Sequence, residues 1–226
     1  MIEWFQHILR FLPDFYDGLL ITLRLTFVGL ALGMGIGIPA ALARVYGSPW
    51  IRRIAIGYIE FIRGTPLLVQ LFIIYFGLPQ FNINLPRMTA AYLALGLNSG
   101  AYQAEYFRGA IQAVESGQMM AARAMGMTRF QAIRHVILPQ AVRIVIPPWS
   151  NEPILLLKSS AVAFLVAVPD LMTKAKIIIT RTYDPIGTYL AVAVFYLIIV
   201  LLLTGVLETI ERRVRIPGLE IEVVRH

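Results

Sequence analysis

The sequence contains no cysteine, three lysines and three histidines. Without cysteine it has no disulfide framework and no thiolate metal or redox site. His7, His135 and His226 all fall outside the long apolar runs, which excludes a histidine-ligated metal at membrane depth. A phosphate-cradling loop needs G-x-x-x-x-G-K-[ST]. Of Lys158, Lys174 and Lys176 only Lys158 precedes a serine, and Leu157 stands where the second glycine must be. The chain therefore carries no such ATP site, and no cofactor of its own is expected. The first 18 residues are not expected to form a cleavable leader: Glu3, Asp14 and Asp17 lie among them, with no basic n-region or cleavage pattern.

Charge is absent from whole stretches. Residues 25–43 run for 19 positions without a charged side chain, 64–86 for 23, 88–104 for 17 and 185–207 for 23. About 20 residues of helix cross the hydrocarbon core, so these runs have the length of spans. A mean hydropathy of +0.71 and 58% hydrophobic residues exceed what a soluble core can bury. Residues 144–167 form a fifth, irregular run that holds Pro147, Pro148, Asn151, Glu152, Pro153 and Lys158. Polar backbone and side chains at that depth are tolerated where they line a cavity. The expectation is an all-α polytopic membrane protein, one domain over 1–226. An aromatic interfacial helix occupies 1–17, and spans lie near 18–43, 65–79, 88–106, 144–168 and 185–208.

Arginine sets the orientation. With five spans, Arg44, Arg52, Arg53, Arg63, Arg108, Arg123, Arg129, Arg134, Arg143, Arg212, Arg213, Arg215 and Arg225 share one side; Arg10, Arg24, Arg87, Lys174, Lys176 and Arg181 share the other. The positive-inside rule then puts the N-terminus outside and the C-terminus in the cytoplasm. The net charge of +7 reads as topology and contact with anionic membrane lipid, and no nucleic acid is expected because no single face collects the basic residues.

Gly29, Gly33 and Gly37 recur every four residues and so share a helix face, which either admits a second backbone closely or reflects the general frequency of glycine in spans. Pro39 is expected to kink or loosen the end of that helix. Arg63-Gly64-Thr65-Pro66 reads as a stop and restart: Gly64 ends one helix, Thr65 caps the next and Pro66 takes its first position, a break suited to a hinge or gate. The cytoplasmic loop 107–143 holds a polar block, 117–139, in which a helix from Met119 to Met125 ends at Gly126. A second runs from a Thr128 cap to about Val136, and Pro139 closes the block. Such a pair either exposes Met125, Met127 and Phe130 to a partner or lies on the bilayer as an amphipathic hairpin.

Residues 120–139 resemble the EAA loop of ATP-binding-cassette importer permeases: Ala121, Ala122, Gly126, Leu138 and Pro139 match in register. Arg63-Gly64-Thr65-Pro66-Leu67-Leu68-Val69-Gln70, Leu97-Asn98-Ser99-Gly100-Ala101-Tyr102, Leu138-Pro139-Gln140-Ala141 and Asn151-Glu152 with Leu156-Leu157-Lys158 resemble the polar amino acid branch of that family. The resemblance extends from about Gly18 to Arg212. It implies a five-span type I importer permease that pairs with a second permease copy or paralogue. Cytoplasmic ATPase subunits would bind the ATP and dock on the loop, and an extracytoplasmic binding protein would deliver a polar or charged L-amino acid. Met120 stands where the family has glutamate, and Val136 where it has isoleucine; methionine cannot supply the carboxylate's charge or hydrogen bonds.

The substrate path is expected among Gln70, Asn98, Ser99, Tyr102, Glu152 and Lys158. Glu152 would meet an ammonium or cationic side chain and Lys158 a carboxylate; alternatively the two neutralise each other. Asn98 and Ser99 have an alternative role as interhelical hydrogen-bonding groups. A secondary transporter or channel remains a rival, one that gives no reason for the 117–139 block. An intramembrane enzyme would need a nucleophile, metal ligands or an acid–base pair at depth; Lys158 with Ser159 and Ser160 is a conceivable pair, but adjacent helical residues point different ways.

Overall fold

The computed structural model describes residues 2–114 and 116–214, with side chains from Phe11 onward except Ser116. Arg215, Arg225 and His226, and the side chains of His7 and Arg10, lie outside the described residues. Among those described there is no strand. Ten α-helices follow in order: α1 Ile2–Tyr46, α2 Pro49–Arg63, α3 Leu67–Phe72, α4 Arg87–Ala113, α5 Ser116–Ala124, α6 Arg129–Ala132, α7 Leu138–Trp149, α8 Glu152–Ser159, α9 Leu171–Thr182 and α10 Pro185–Val214. Single π-helical turns at Ile73–Gly77 and Ile133–Ile137 extend α3 and precede α7, and 3-10 segments at Leu78–Phe81 and Ser160–Val166 extend α3 and α8.

Two helical segments, Phe11–Tyr46 and Pro185–Val214, are long and apolar enough to cross a membrane. Two bent pairs add candidates: Pro49–Arg63 with Leu67–Phe81, at 104°, and Glu152–Val166 with Leu171–Thr182, at 52°. The long helix α4 is more polar, because Asn98, Ser99, Gln103 and Glu105 interrupt its small apolar residues. The N-terminal segment expected as a separate interfacial helix continues unbroken into the first apolar run. Pro13 and Pro39 both lie inside α1, which passes Pro39 and ends seven residues later at Tyr46. A proline removes one N–H but leaves the rest of the ladder intact, and packed neighbours can satisfy the freed carbonyl.

The frame is α1 laid along α4, the most extensive helix pair. Between helices in lipid, close packing rather than burial from water supplies the attraction, so small residues mark the seam. A Cβ at Gly33 would lie 2.6 Å from Gln103 Nε2, and one at Gly37 would lie 2.9 Å from the Gly100 carbonyl. The glycine stripe is therefore a true contact face. Around the seam, Leu25, Leu71, Ala90, Ala94, Leu95 and Leu156 form one buried cluster. A second, with Phe15, Leu171, Ile178 and Ala191, ties α9 and α10 to the start of α1. A third, with Ala41, Ile111, Ile137 and Val145, seats α7 against the opposite ends of α1 and α4.

Candidate functional site: a docking block, a helix corner and a buried polar chain

The block at 117–139 is built by two terminal motifs. At the end of α5 the Met127 N–H donates to the Ala122 carbonyl at 3.1 Å and the Gly126 N–H to the Arg123 carbonyl at 3.1 Å. This is a Schellman cap, and it needs a left-handed residue at its turn; Gly126 supplies it at φ +83°. Thr128 then starts α6 with a reciprocal capping box: Thr128 Oγ1 accepts from the Gln131 N–H at 3.2 Å, and Gln131 Oε1 accepts from the Thr128 N–H at 2.8 Å. The two helices are joined by a four-residue turn, 125–128, fixed by these caps, with Ala122 and Ala132 buried and Met120, Met125 and Phe130 at 74%, 80% and 69% exposure. Ala121 is exposed as well, and Met127 half-buried. Leu138 and Pro139 do not end the second helix. The chain widens into the Ile133–Ile137 π turn and continues through Pro139 into α7. The π turn closes with the Leu138 N–H donating to the Ile133 carbonyl, one residue ahead of the proline.

The Arg63–Pro66 break is a sharp corner, assembled differently from the sequence expectation. Gly64 follows α2 in a right-handed conformation at φ −81°, so its smallness at the corner rather than a positive φ is used. Thr65 does not cap α3; Pro66 occupies the N-cap position, and the Thr65 hydroxyl donates back to the Phe61 carbonyl at 2.9 Å. The corner is closed by Gln70. Its Nε2 points at the Ile62 carbonyl (2.7 Å), the Thr65 carbonyl (3.0 Å) and Thr65 Oγ1 (2.9 Å), and its Oε1 accepts from Asn98 Nδ2 at 3.1 Å. Gln70 is thus buried as a bracket for the bend, with its outer end tied to α4.

Ser99 and Glu152 meet, and Lys158 stands apart. The Ser99 hydroxyl donates to Glu152 Oε1 at 2.6 Å, while among the described residues no donor meets Oε2. Gln103, one turn further along α4, donates to Ser99 Oγ (2.9 Å) and to the Leu30 carbonyl (3.1 Å), and its Oε1 accepts from the Trp149 indole at 2.9 Å. This chain joins α1, α4, α7 and α8 in the apolar interior, where unpaired polar groups cost several kcal/mol, of order 2–7. Six residues along from Glu152 a helix has turned to another face, and Lys158 is exposed with no ion-pair partner among the described residues. The mutual neutralisation of Glu152 and Lys158 is therefore not observed.

Residues not singled out in the sequence complete the site. Glu105 of α4 gathers three arginines: Arg44 of α1 in a very short contact, Arg108 at 2.9 Å and Arg63 at 3.8 Å. Arg63 lies over the Tyr102 ring, 5.3 Å from its centroid. Tyr58 of α2 donates to the Leu97 carbonyl at 2.7 Å, pinning α2 beside Asn98. The periodicity of α4 holds a signal for Gln103, four residues after Ser99 on one face; nothing local announces Trp149 or Arg44, which arrive by tertiary packing.

A family of binding-protein-dependent transport system inner membrane components matches residues 33–216. The chain belongs to that family. The glutamine transport system permease protein of Escherichia coli strain K12 is 40% identical over 207 residues, 91% of this chain and 94% of that one. A probable amino-acid ABC transporter permease of Bacillus subtilis strain 168 is 42% identical over 184 residues, 81% of each. Among solved structures, a crystal structure of an amino acid ABC transporter with histidines superposes with a TM-score of 0.85 at 43% identity, covering 91% of this chain and 96% of that one. The methionine ABC transporter MetNI, at 22% identity and a TM-score of 0.77, shares the fold. This inner membrane component is thus a membrane transport protein of the ABC permease kind.

Proposed function

We propose that this chain is the permease subunit of an ATP-driven, binding-protein-dependent importer that carries polar or charged L-amino acids inward by alternating access. The observation that carries the reading is the α5–α6 block. A capped, rigid pair of short helices presents Met120, Met125 and Phe130 to solvent on a chain that has no phosphate loop of its own. That combination suits a subunit that borrows its motor. Relatives that are themselves amino-acid ABC permeases support the cargo class.

In this reading five spans cross the bilayer with the N-terminus outside and the C-terminus cytoplasmic, and the α7–α8 run forms the fourth. A second permease copy or paralogue completes the path, two ATPase subunits seat against 117–139, and an extracytoplasmic binding protein delivers the amino acid. Closure of the motors on ATP displaces α5 and α6, and α4 and α7, which flank them in the chain, transmit the shift to the bundle. The Arg63–Pro66 corner serves as the hinge. No bond of the substrate is made or broken, so the chain holds no catalytic residue. Asn98, Tyr102 and Glu152 face the path. Gln70 and Ser99 hold neighbouring groups in place. Co-purification tests the reading: with its cognate ATPase coexpressed, a tagged permease should retain the ATPase through gel filtration, and Phe130→Asp should release it. Failure to recover any ATPase with the intact chain removes the proposal.

A further inference from the structure

We propose that Arg63 binds the α-carboxylate of the transported amino acid, and that the substrate takes it from Glu105. This rests on the reading that the Asn98–Glu152 region is the amino acid path. The polar groups along α4 act as a ruler. Ser99 holds Glu152 at one level, Tyr102 carries Arg63 three residues later, and Glu105 lies three residues beyond that. Residues three apart share a helix face and are separated by about 4.5 Å along the axis. An α-amino acid has its ammonium and carboxylate on one carbon. With a charge-assisted hydrogen bond of about 2.7–2.9 Å at each end, it suits a carboxylate and a guanidinium held on neighbouring levels. Glu152, with Oε2 free of protein donors, takes the ammonium. Lys158 is on the wrong face to take the other end.

Arg63 is the available cation because Glu105 is oversubscribed. One carboxylate faces three guanidiniums, and among the described residues only Glu60, 4.0 Å from Arg44, adds a second negative charge. Arg44 and Arg108 hold the closer positions. At 3.8 Å Arg63 is beyond hydrogen-bonding distance, and its side chain is the most exposed of the three, at 41%. The Tyr102 ring beneath it satisfies a guanidinium face while leaving the N–H edge open. An incoming carboxylate meets an unspent cation at little cost to the cluster. Arg63 is also the last residue of α2 before Gly64, so a change of its partner acts directly on the 104° corner. Glu105 is then a positioning residue. It parks Arg63 when the path is empty and, through Arg108 on the same helix, stands between the path and the α4 end that leads to α5.

The test measures direct binding to the permease–ATPase complex in lipid nanodiscs without the binding protein, which would itself select for a carboxylate. The probes are L-glutamine and L-arginine, each compared with its carboxamide. The intact complex should prefer each acid to its amide by about tenfold or more, as expected where a site is built to pair a group. Arg63→Gln should weaken the acids about tenfold and leave the amides unchanged, collapsing the preference, while Arg63→Lys should keep part of it as a charge without the planar fork. Glu105→Gln should strengthen the acids a few-fold with the amides unmoved, because Arg63 is released. A purely structural cluster predicts the opposite sign. If Arg63→Gln and Glu105→Gln weaken acid and amide alike, the assignment is wrong while the amino acid path stands. If the intact complex binds none of the four probes, the path itself is wrong and this assignment falls with it.

Discussion

A methyl group at Gly33 is the sharpest probe of the α1–α4 seam. Built on the existing backbone, the Cβ of Gly33→Ala would lie 2.6 Å from Gln103 Nε2 and 2.9 Å from both Cβ and Oγ of Ser99, inside any normal contact distance. Gln103 cannot swing clear, because it is fully buried and bonded to Leu30, Ser99 and Trp149. Overpacking of this kind costs about 1–3 kcal/mol, and loosening a hydrogen bond or two between membrane helices adds roughly 0.6 kcal/mol each. A total near 3 kcal/mol corresponds to a fall in apparent Tm of roughly 6–12 °C for a chain of this size. Gly35, two residues away, is the internal control: a Cβ there meets nothing within 4 Å. Gly35→Ala should leave the Tm unchanged or raise it by a degree or more, since alanine is favoured over glycine in a helix by about 1 kcal/mol. Thermal unfolding followed by size-exclusion fluorescence gives both numbers. Equal Tm values for the two variants would refute the claimed close approach.

Other perturbations address other parts. Gln70→Leu removes the amide that closes the Arg63–Pro66 corner and leaves the Ile62 and Thr65 carbonyls without that donor, so limited proteolysis at 62–66 should accelerate; Gln70→Glu, which keeps size but not donors, should behave the same way, and an unchanged cleavage rate in both would remove the bracket role. Thr128→Ala deletes a capping box worth about 0.5–2 kcal/mol, which should weaken ATPase binding severalfold in a pull-down titration while leaving the Tm of the bundle nearly constant. Met120→Glu restores the carboxylate of the family pattern on an exposed position, and should raise the affinity for the ATPase subunit and amino-acid-stimulated ATP hydrolysis. Indifference of both would show that docking here relies on Met125 and Phe130 alone.

Much of this architecture could be read in the residues, for physical reasons that can be named. Uncharged runs are legible because lipid tolerates little else, and the Gly29–Gly33–Gly37 stripe because only glycine permits so close a backbone approach. The α5–α6 turn was legible too, since Gly126 and Thr128 are local chemistry: a left-handed residue and a side-chain cap are decided within a few residues. Ser99 and Glu152 are both legible as polar groups at depth, but that they bond each other depends on how α4 meets α8. The position of the corner at Arg63–Pro66 is legible in the sequence; its construction is not. Its closing group, Gln70, lies a full turn downstream and acts through backbone carbonyls that no pattern marks. Pro139 reads as a terminator in the sequence, yet the helix runs through it after the Ile133–Ile137 π turn, which leaves no signature in composition. The Glu105 cluster escaped altogether: its arginines come from α1, α2 and α4, and only the packed bundle brings them to one carboxylate.

The claim on which the rest depends is that an external ATP motor drives transport through this chain. Proteoliposomes with the permease, its ATPase and the binding protein should accumulate labelled glutamine or arginine only when ATP is supplied to the ATPase side, and hydrolysis should rise when amino acid is present. Uptake by the permease alone, driven by a sodium or proton gradient and indifferent to ATP, would contradict the account.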